Sequence, residues 1–365
     1  MSKRIVQLDG VRALAISAVF LHHALKIKLL WMGVDLFFIL SGFLITGILI
    51  GSKDRSPGKY FGHFYARRAR RILPPYAMLL IVTSVVFGFA WIGHWYLYFF
   101  LMNATLAFGI AHPESLDLLW SLAVEEQFYL VWPIGVYFWR ERTIAWVAGA
   151  LIVAAPILRW ICTPYFALSW PIYVLTPFRM DLLAVGALLA VIWRQHRGKI
   201  ERFGQYGPAA SAIALLVLFV LSRKLGLSTY ANTQAGNVWI FELSLIICTG
   251  VILWSLSGRG IWILTLSPVM FLGRISYSVY LIHRTVLIAL GEHLSGKVTV
   301  AVVAFAITLV YASLSWYLLE KPLLSRQPKT TDGPGVTANR SLTEGPATRL
   351  GVRDALANSS PRNAI

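Results

Sequence analysis

Apolar residues run along this chain in long blocks that are separated by short polar stretches. A helix that crosses a membrane needs about 20 mostly apolar residues. Ten such segments are predicted, at residues 11–28, 31–50, 73–93, 118–139, 143–161, 178–193, 207–222, 237–256, 274–291 and 298–319. The pattern therefore predicts an all-α, polytopic membrane protein with about ten transmembrane helices.

One further apolar stretch, residues 95–110, is short and rich in aromatic side chains. We interpret it as an interfacial or re-entrant piece, because an eleventh span would reverse the side of every later loop. Residues 326–365 have no aromatic side chain and four prolines, and so polar a segment cannot bury enough apolar surface to fold. We expect a membrane-embedded domain over residues 1–325 and a disordered cytoplasmic tail over 326–365.

The composition also indicates a membrane protein. Hydrophobic residues make up 57% of the 365 residues and charged residues only 13%, whereas a soluble domain has about 25% charged residues. These values exclude a soluble enzyme, a disordered protein and a disulfide scaffold. A net charge of +17 can indicate nucleic-acid binding, but in so apolar a chain it is typical of basic loops. No nucleic-acid partner is expected.

The positions of the cations predict the orientation of the chain in the bilayer. Most of the 33 Lys and Arg residues fall on the cytoplasmic side when the N-terminus is placed there, in agreement with the positive-inside rule. This placement needs an even number of spans, with both termini in the cytoplasm. We expect a multi-pass protein of the plasma (inner) membrane.

Two polar residues of the first predicted span are informative, because polar and charged groups are costly in the bilayer. Arg12 and His23 are eleven residues apart, so they share one face of a helix and lie about 16 Å apart along its axis. His22 points to another side of that helix. His23 is either a catalytic group deep in the membrane or a residue that only packs between helices.

Polar side chains recur in the segments that follow. Arg68 and Arg71, three residues apart in FYARRARRILPPY, project from one side of a helix. Paired guanidinium groups suit a phosphate or pyrophosphate, and the alternative is a cluster that contacts lipid headgroups. Asp35 begins a helix, where it can serve as an N-cap. Glu125 and Glu126 lie in an apolar segment, so at least one of them must face protein.

Two later motifs carry further polar residues near the ends of spans. FRMDLLAVG contains Arg179 and Asp181, and GRISYSVYLIHRT places Ser276, Tyr280 and His283 on one helical face. Polar contacts between packed helices are the favoured role for most of these residues. No spacing of His, Cys, Asp or Glu indicates a metal site.

Taken in order, these motifs resemble the acyltransferase family three of integral membrane proteins, which includes bacterial O-antigen and exopolysaccharide O-acetylases. The similarity runs from LDGVRALAISAVFLHH to SWYLLEKP and covers about residues 5–325. The family's Arg and His, separated by ten residues, fall on Arg12 and His23. Its Arg-x-x-Arg motif falls on Arg68 and Arg71. The resemblance implies that His23 is the catalytic histidine.

The resemblance also implies a reaction, the transfer of an acyl group, commonly acetyl, from cytoplasmic acyl-CoA to a hydroxyl group. The acceptor is expected to be a carbohydrate, such as a lipid-linked or exported glycan. In that reaction we expect Arg68 and Arg71 to bind the CoA phosphates and Arg12 to guide the pantetheine arm. His23 would then act as the general base.

Supporting roles are expected for three charged residues. Asp35 or Glu125 can fix the tautomer of His23, as the carboxylate of a hydrolase triad does, and Arg12 can instead stabilise oxyanion charge. No permanently bound cofactor and no metal are expected. Two other functions fit the same features, namely acylation of a small secondary metabolite such as a macrolide, and secondary transport. The oligomeric state is left open.

Overall fold

The computed structural model describes residues 5–89, 92–228 and 231–325. Within these ranges the regular secondary structure is helical and contains no strand, which confirms the all-α prediction. The tail predicted over residues 326–365 lies outside the described residues.

Ten helices of 18 or more residues form the framework of the described chain. They are α1 (Gln7–Leu25), α2 (Gly33–Ile50), α3 (Pro57–Phe87), α4 (Leu119–Phe138), α5 (Glu141–Cys162), α6 (Met180–Phe203), α7 (Gly207–Leu225), α8 (Gln234–Ser257), α9 (Ser267–Gly291) and α10 (Lys297–Ser315). Each helix overlaps one of the apolar segments predicted above. An apolar run in lipid forms a helix because its backbone groups must then find hydrogen-bond partners within the segment itself.

Seven helical segments are long and apolar enough to cross a membrane. They are Gln7–Leu25, Lys28–Ile50, Pro57–Phe87, Glu141–Tyr165, Met180–Leu225, Gln234–Ser257 and Lys297–Ser325. Of these, Met180–Leu225 contains both α6 and α7, which a short 3-10 helix joins. The segments support a multi-pass membrane protein, whereas the count of ten spans and the location of the termini remain predictions.

Two of the ten long helices, α4 and α9, lie outside these seven segments. Helix α4 carries Glu125 and Glu126, and α9 carries Arg274, His283 and Arg284. These polar residues lower the hydropathy of both helices. The same two helices contribute side chains to the site described below.

The apolar stretch 95–110 does not form a spanning helix. It contains two short helices, Trp95–Tyr98 and Met102–Ala107, of four and six residues. A span needs about 20 residues. The structure therefore agrees with an interfacial or re-entrant piece better than with an eleventh span.

Glycines allow two pairs of helices to pack with their backbones in contact. A Cβ atom on Gly273 of α9 would lie 1.8 Å from the carbonyl oxygen of Asp9 in α1. A Cβ atom on Gly42 of α2 would lie 2.0 Å from the carbonyl oxygen of Leu183 in α6. Both positions therefore require glycine. The first contact holds α1 against α9, two helices that are far apart in the sequence.

Candidate active site

Helices α1 and α9 each contribute one histidine to a pair inside the protein. The Nδ1 atom of His23 lies 3.0 Å from the Nε2 atom of His283. The ring of His283 is fully buried. Its own Nδ1 atom lies 2.7 Å from the carbonyl oxygen of Tyr280 and 3.2 Å from that of Val279. The pair is thereby anchored to the backbone of α9.

These hydrogen bonds assign the tautomers of the two neutral rings. A carbonyl oxygen only accepts hydrogen bonds, so the Nδ1 atom of His283 carries the proton and its Nε2 atom is an acceptor. The Nδ1–H group of His23 therefore donates to His283. A neutral His23 then keeps the lone pair of its Nε2 atom, which can accept a proton from a hydroxyl group.

His23 also faces a cavity, which we call the histidine cavity. Its lining includes the side chains of His23, Lys26, Glu114, Arg284, Leu287 and Lys297. The guanidinium of Arg284 is already paired, because its Nη2 atom lies 2.7 Å from Oε1 of Glu114 and 3.4 Å from Oδ2 of Asp117. The histidine cavity thus places basic side chains next to an imidazole that can act as a base.

A second cavity, which we call the arginine cavity, brings together the residues predicted to bind the donor. Its lining includes Arg12, Arg68, Arg71, Ser121, Glu125 and Tyr280. The arginines come from α1 and α3, so the structure gathers around one space three cations that the sequence places in two helices. Arg12 is partly compensated by Asp9, at 3.6 Å. Three guanidinium groups around one cavity suit an anionic ligand.

Aromatic and hydroxyl groups hold one side of the arginine cavity in place. The guanidinium carbon of Arg68 lies 4.8 Å from the ring centroid of Tyr129, a cation–π contact. The Tyr129 hydroxyl donates to Oε2 of Glu125 over 3.1 Å, and Ser41 donates to Oε1 over 2.6 Å. Both carboxylate oxygens of Glu125 therefore accept a hydrogen bond in the wall of the cavity.

Arg71 is held from a different direction, by the end of the last long helix. Its Nη1 atom lies 3.1 Å from Oε2 of Glu320, a fully buried carboxylate. Ser278 donates to Oε1 of the same group over 2.7 Å. Glu320 belongs to a π-helical turn, Trp316–Glu320, that follows α10, and such turns occur frequently at functional sites. The turn aims the carboxylate at Arg71.

The histidine pair lies between the two cavities. Tyr280 lines the arginine cavity, and its ring centroid is 5.8 Å from that of His283. His23 contacts the Nε2 atom of His283 and lines the histidine cavity. The Tyr280 hydroxyl also lies 2.5 Å from Oγ of Ser121. Tyr280, His283 and His23 thus form a continuous row from one cavity to the other.

Asp35 lies in a separate buried ion-pair network. It pairs with Arg179, and it accepts a hydrogen bond from Ser244 over 2.6 Å. In the same region Arg159 lies 2.7 Å from Asp181. Both arginines have no exposed surface. The network joins α2, α5, α6 and α8, and each charge in it is tied to a partner rather than presented to a cavity.

Neither carboxylate predicted to support His23 contacts it. Asp35 and Glu125 have other hydrogen-bond partners among the described residues, and the Nδ1 atom of His23 meets His283 instead. The expectation that a carboxylate fixes the tautomer of His23 is therefore corrected, since a second imidazole occupies that position. The sequence signal for this contact is the placement of His283 on one helical face with Tyr280, a pattern that on its own indicates packing between helices.

The arrangement suits proton transfer next to an anion-binding cavity. In the described part of the chain, no group of three or more His, Cys, Asp or Glu side chains could hold a metal ion.

Comparison with known proteins identifies one family model and relatives that are named as O-acetyltransferases. A family model described as an acyltransferase domain matches residues 5–319. The peptidoglycan O-acetyltransferase OatA of Listeria monocytogenes is 27% identical over 361 residues, which cover 88% of this chain and 56% of that protein. A Bacillus subtilis protein named "Putative peptidoglycan O-acetyltransferase YrhL" is 27% identical over 356 residues, which cover 87% of this chain and 54% of that protein. No solved structure matches the chain.

This chain thus spans just over half the length of the two relatives. The family model, by contrast, covers most of the chain, from the beginning of the described residues to the π-helical turn. The protein belongs to the acyltransferase domain family.

Proposed function

We propose that the protein is a membrane O-acyltransferase that moves an acyl group, commonly acetyl, from cytoplasmic acyl-CoA to a hydroxyl of a carbohydrate. The observation that carries this proposal is the position of the His23–His283 pair between the arginine cavity and the histidine cavity. A base between two binding spaces suits a reaction that joins a donor and an acceptor. The family match and the names of the relatives support the same reaction class.

The arginine cavity is the proposed site of the donor. Arg12, Arg68 and Arg71 line it, and guanidinium groups bind phosphates through paired hydrogen bonds. Arg12 and His23 are about 16 Å apart along α1, which is comparable to the reach of a pantetheine arm. The thioester therefore approaches the histidine pair while the phosphates stay with the arginines. Arg12 is assigned to donor binding in this arrangement.

The two histidines have different roles in the proposed reaction. The Nε2 atom of His23 takes the proton of the acceptor hydroxyl while the hydroxyl oxygen attacks the thioester carbonyl. The new C–O bond forms as the C–S bond breaks, and the leaving CoA thiolate receives the proton from His23. His283 holds the ring of His23 through the Nδ1 hydrogen bond. A two-step route through an acyl-histidine uses the same Nε2 atom as the nucleophile.

The proposed topology has ten spans and both termini in the cytoplasm of a plasma membrane protein. Arg12 lies in the first half of α1 and His23 near its end. With a cytoplasmic N-terminus, the arginine cavity faces acyl-CoA and the histidine cavity faces the opposite side. The two cavities then receive donor and acceptor from different sides of the membrane.

Cysteine labelling in intact cells tests this topology, after Cys162 and Cys248 have been replaced by alanine. An impermeant thiol reagent is expected to label Ser295→Cys, between α9 and α10, without permeabilisation. Ser56→Cys, between α2 and α3, is expected to react only after permeabilisation. The opposite pattern would contradict the proposed orientation.

The enzymatic proposal is tested by acetyl transfer from radiolabelled acetyl-CoA to surface glycan, with the purified protein in proteoliposomes. His23→Ala is expected to lower transfer by about 10²- to 10⁴-fold, the usual contribution of a general base. The neighbouring control is His22→Ala, because His22 bonds to the carbonyl of Ile27 and lies outside the two cavities. A His23→Ala protein that inserts normally and retains full activity would exclude the mechanism.

Two alternatives give different results in the same preparation. Solute uptake that needs no acyl-CoA would identify a secondary transporter, whereas CoA release that depends on the acceptor identifies the enzyme. Acetylation of a small metabolite such as a macrolide, with none on surface polysaccharide, would identify the other acceptor class. Mass spectrometry of the polysaccharide with and without the gene measures this directly.

A further inference from the structure

The histidine cavity contains two lysines whose charge is not compensated. Lys26 and Lys297 both line it, and neither ammonium group makes a hydrogen bond or an ion pair with another described residue. Arg284 differs from them, because Glu114 and Asp117 lie 2.7 and 3.4 Å from its guanidinium. The space next to His23 therefore has an excess of positive charge.

Lys26 has a backbone conformation that usually favours glycine. Lys26 ends α1 in the left-handed conformation, with φ of 60°, which disfavours any residue with a Cβ atom. Helices α7 and α8 end in the same conformation at Gly226 and Gly258. A lysine in this position places an ammonium group at the cavity at a cost that glycine would avoid.

The remaining wall of the cavity is largely apolar. Leu287 and Ile288 of α9 and Val300 of α10 line it with aliphatic side chains. An occupant can therefore combine an apolar part with a charged one. Among the described residues of the lining, Glu114 is the only acidic one, and it is paired with Arg284.

Resting on the proposed function, we propose that the acceptor is a carbohydrate with an anionic group, either a carboxylate or a phosphate. Lys26 and Lys297 bind the anion, because an ammonium forms charge-assisted hydrogen bonds with such groups. A hydroxyl of the same sugar then meets the Nε2 atom of His23. The two lysines select the acceptor and orient it, while His23 performs the chemistry.

Equilibrium binding to the full chain, in nanodiscs of neutral phosphatidylcholine, tests the proposal without turnover. The probes are hexyl glucuronide, hexyl glucoside 6-phosphate and the neutral hexyl glucoside. We expect the anionic probes to bind about tenfold more tightly than the neutral probe, the effect of two weak charge contacts. A preference for only one of the two anions also supports the proposal and identifies the group. Equal affinities, or no binding of any probe, overturn it.

Variants then test whether the preference for anionic probes depends on the two lysines. Lys26→Gln combined with Lys297→Gln is expected to make the three affinities equal. The matched control is Lys224→Gln, because Lys224 is also basic and in the last turn of a long helix but does not line the histidine cavity. A preference that survives in the double variant, or that is lost equally in the control, overturns the proposal.

A lipid headgroup is the other source of an anion at this site. Short-chain phosphatidylglycerol and unlabelled hexyl glucuronide are compared as competitors of labelled hexyl glucuronide. If the lipid displaces the label at the lower concentration, the site binds lipid and the proposal is overturned. Failure of the proposed function is a separate result. In that case either the unmodified protein shows no acetyl transfer or His23→Ala retains it, whatever affinities the three probes show.

Discussion

His23 and His283 meet at 3.0 Å although 260 residues separate them in the chain. The contact makes His283 the acceptor that orients the imidazole at the histidine cavity. Without that acceptor, the Nδ1–H group of His23 loses its partner, and an unsatisfied donor of this kind is costly. His283 is therefore a positioning residue for the proposed base.

Substitution of His283 is expected to affect turnover more than donor binding. His283→Ala should lower kcat about 100-fold, because a misplaced reacting group loses about that much rate, and should leave the KM for acetyl-CoA unchanged. His283→Gln should retain more activity, since its Oε1 atom can accept the hydrogen bond from His23. Steady-state kinetics on both variants measure the difference. A glutamine variant as inactive as the alanine variant would contradict the positioning role.

Replacing Arg68 and Arg71 together by glutamine is expected to raise the KM for acetyl-CoA by about 100-fold or more, because hydrogen bonds to charged groups contribute about 1.5–3 kcal/mol each. The KM for the acceptor should change little. Arg67→Gln is the matched control, since Arg67 is exposed on the same helix and does not line the arginine cavity. Equal weakening of donor and acceptor would refute the assignment.

The close contact at Gly273 predicts that a larger residue at this position lowers the stability of the protein. Gly273→Ala should destabilise the protein by about 1–3 kcal/mol, as overpacking does, because the new Cβ would lie 1.8 Å from the Asp9 carbonyl oxygen. Gly47→Ala in α2 meets no atom within 4 Å and should be neutral or stabilising, since alanine is the better helix former.

Thermal unfolding in detergent measures both glycine variants. Gly273→Ala should also lower kcat, because it pushes α1 away from α9 and weakens the contact between His23 and His283. Equal melting temperatures for the two variants would show that the helices can separate without cost.

The ion pair of Asp35 and Arg179 predicts strong coupling in a double-mutant cycle. Asp35→Asn or Arg179→Gln alone should cost about 3–5 kcal/mol, because each leaves a buried charge without its partner. The double variant should cost less than the sum of the two. Glu201→Gln, which breaks an exposed pair with Arg197, should cost less than about 1 kcal/mol. Additive losses at Asp35 and Arg179 would contradict a specific pairing.

Helix positions could be predicted because apolarity is a local property of the sequence. The arrangement of Arg12 and His23 on one face was also accessible, since the geometry of a helix fixes it. The contact of His23 with His283 was not accessible, because it depends on which helices pack together. That packing is set by backbone contacts such as the one at Gly273, and hydropathy does not encode them.

Asp35 illustrates the same limit for charged residues. An apolar helix that contains a carboxylate indicates that the carboxylate faces protein, but it does not identify the partner. That partner is Arg179, which lies 144 residues away in the sequence. A catalytic and a structural carboxylate therefore look alike until the long-range contacts are known.

The row of Tyr280, His283 and His23 has a consequence for biosynthesis. Of the ten long helices in the described chain, α1 is synthesised before the others and α9 is the ninth. A nascent chain on the ribosome carries His23 without the acceptor that orients it until α9 has been made and has packed against α1. Incomplete translation products that lack α9 therefore lack the contact that orients the proposed base.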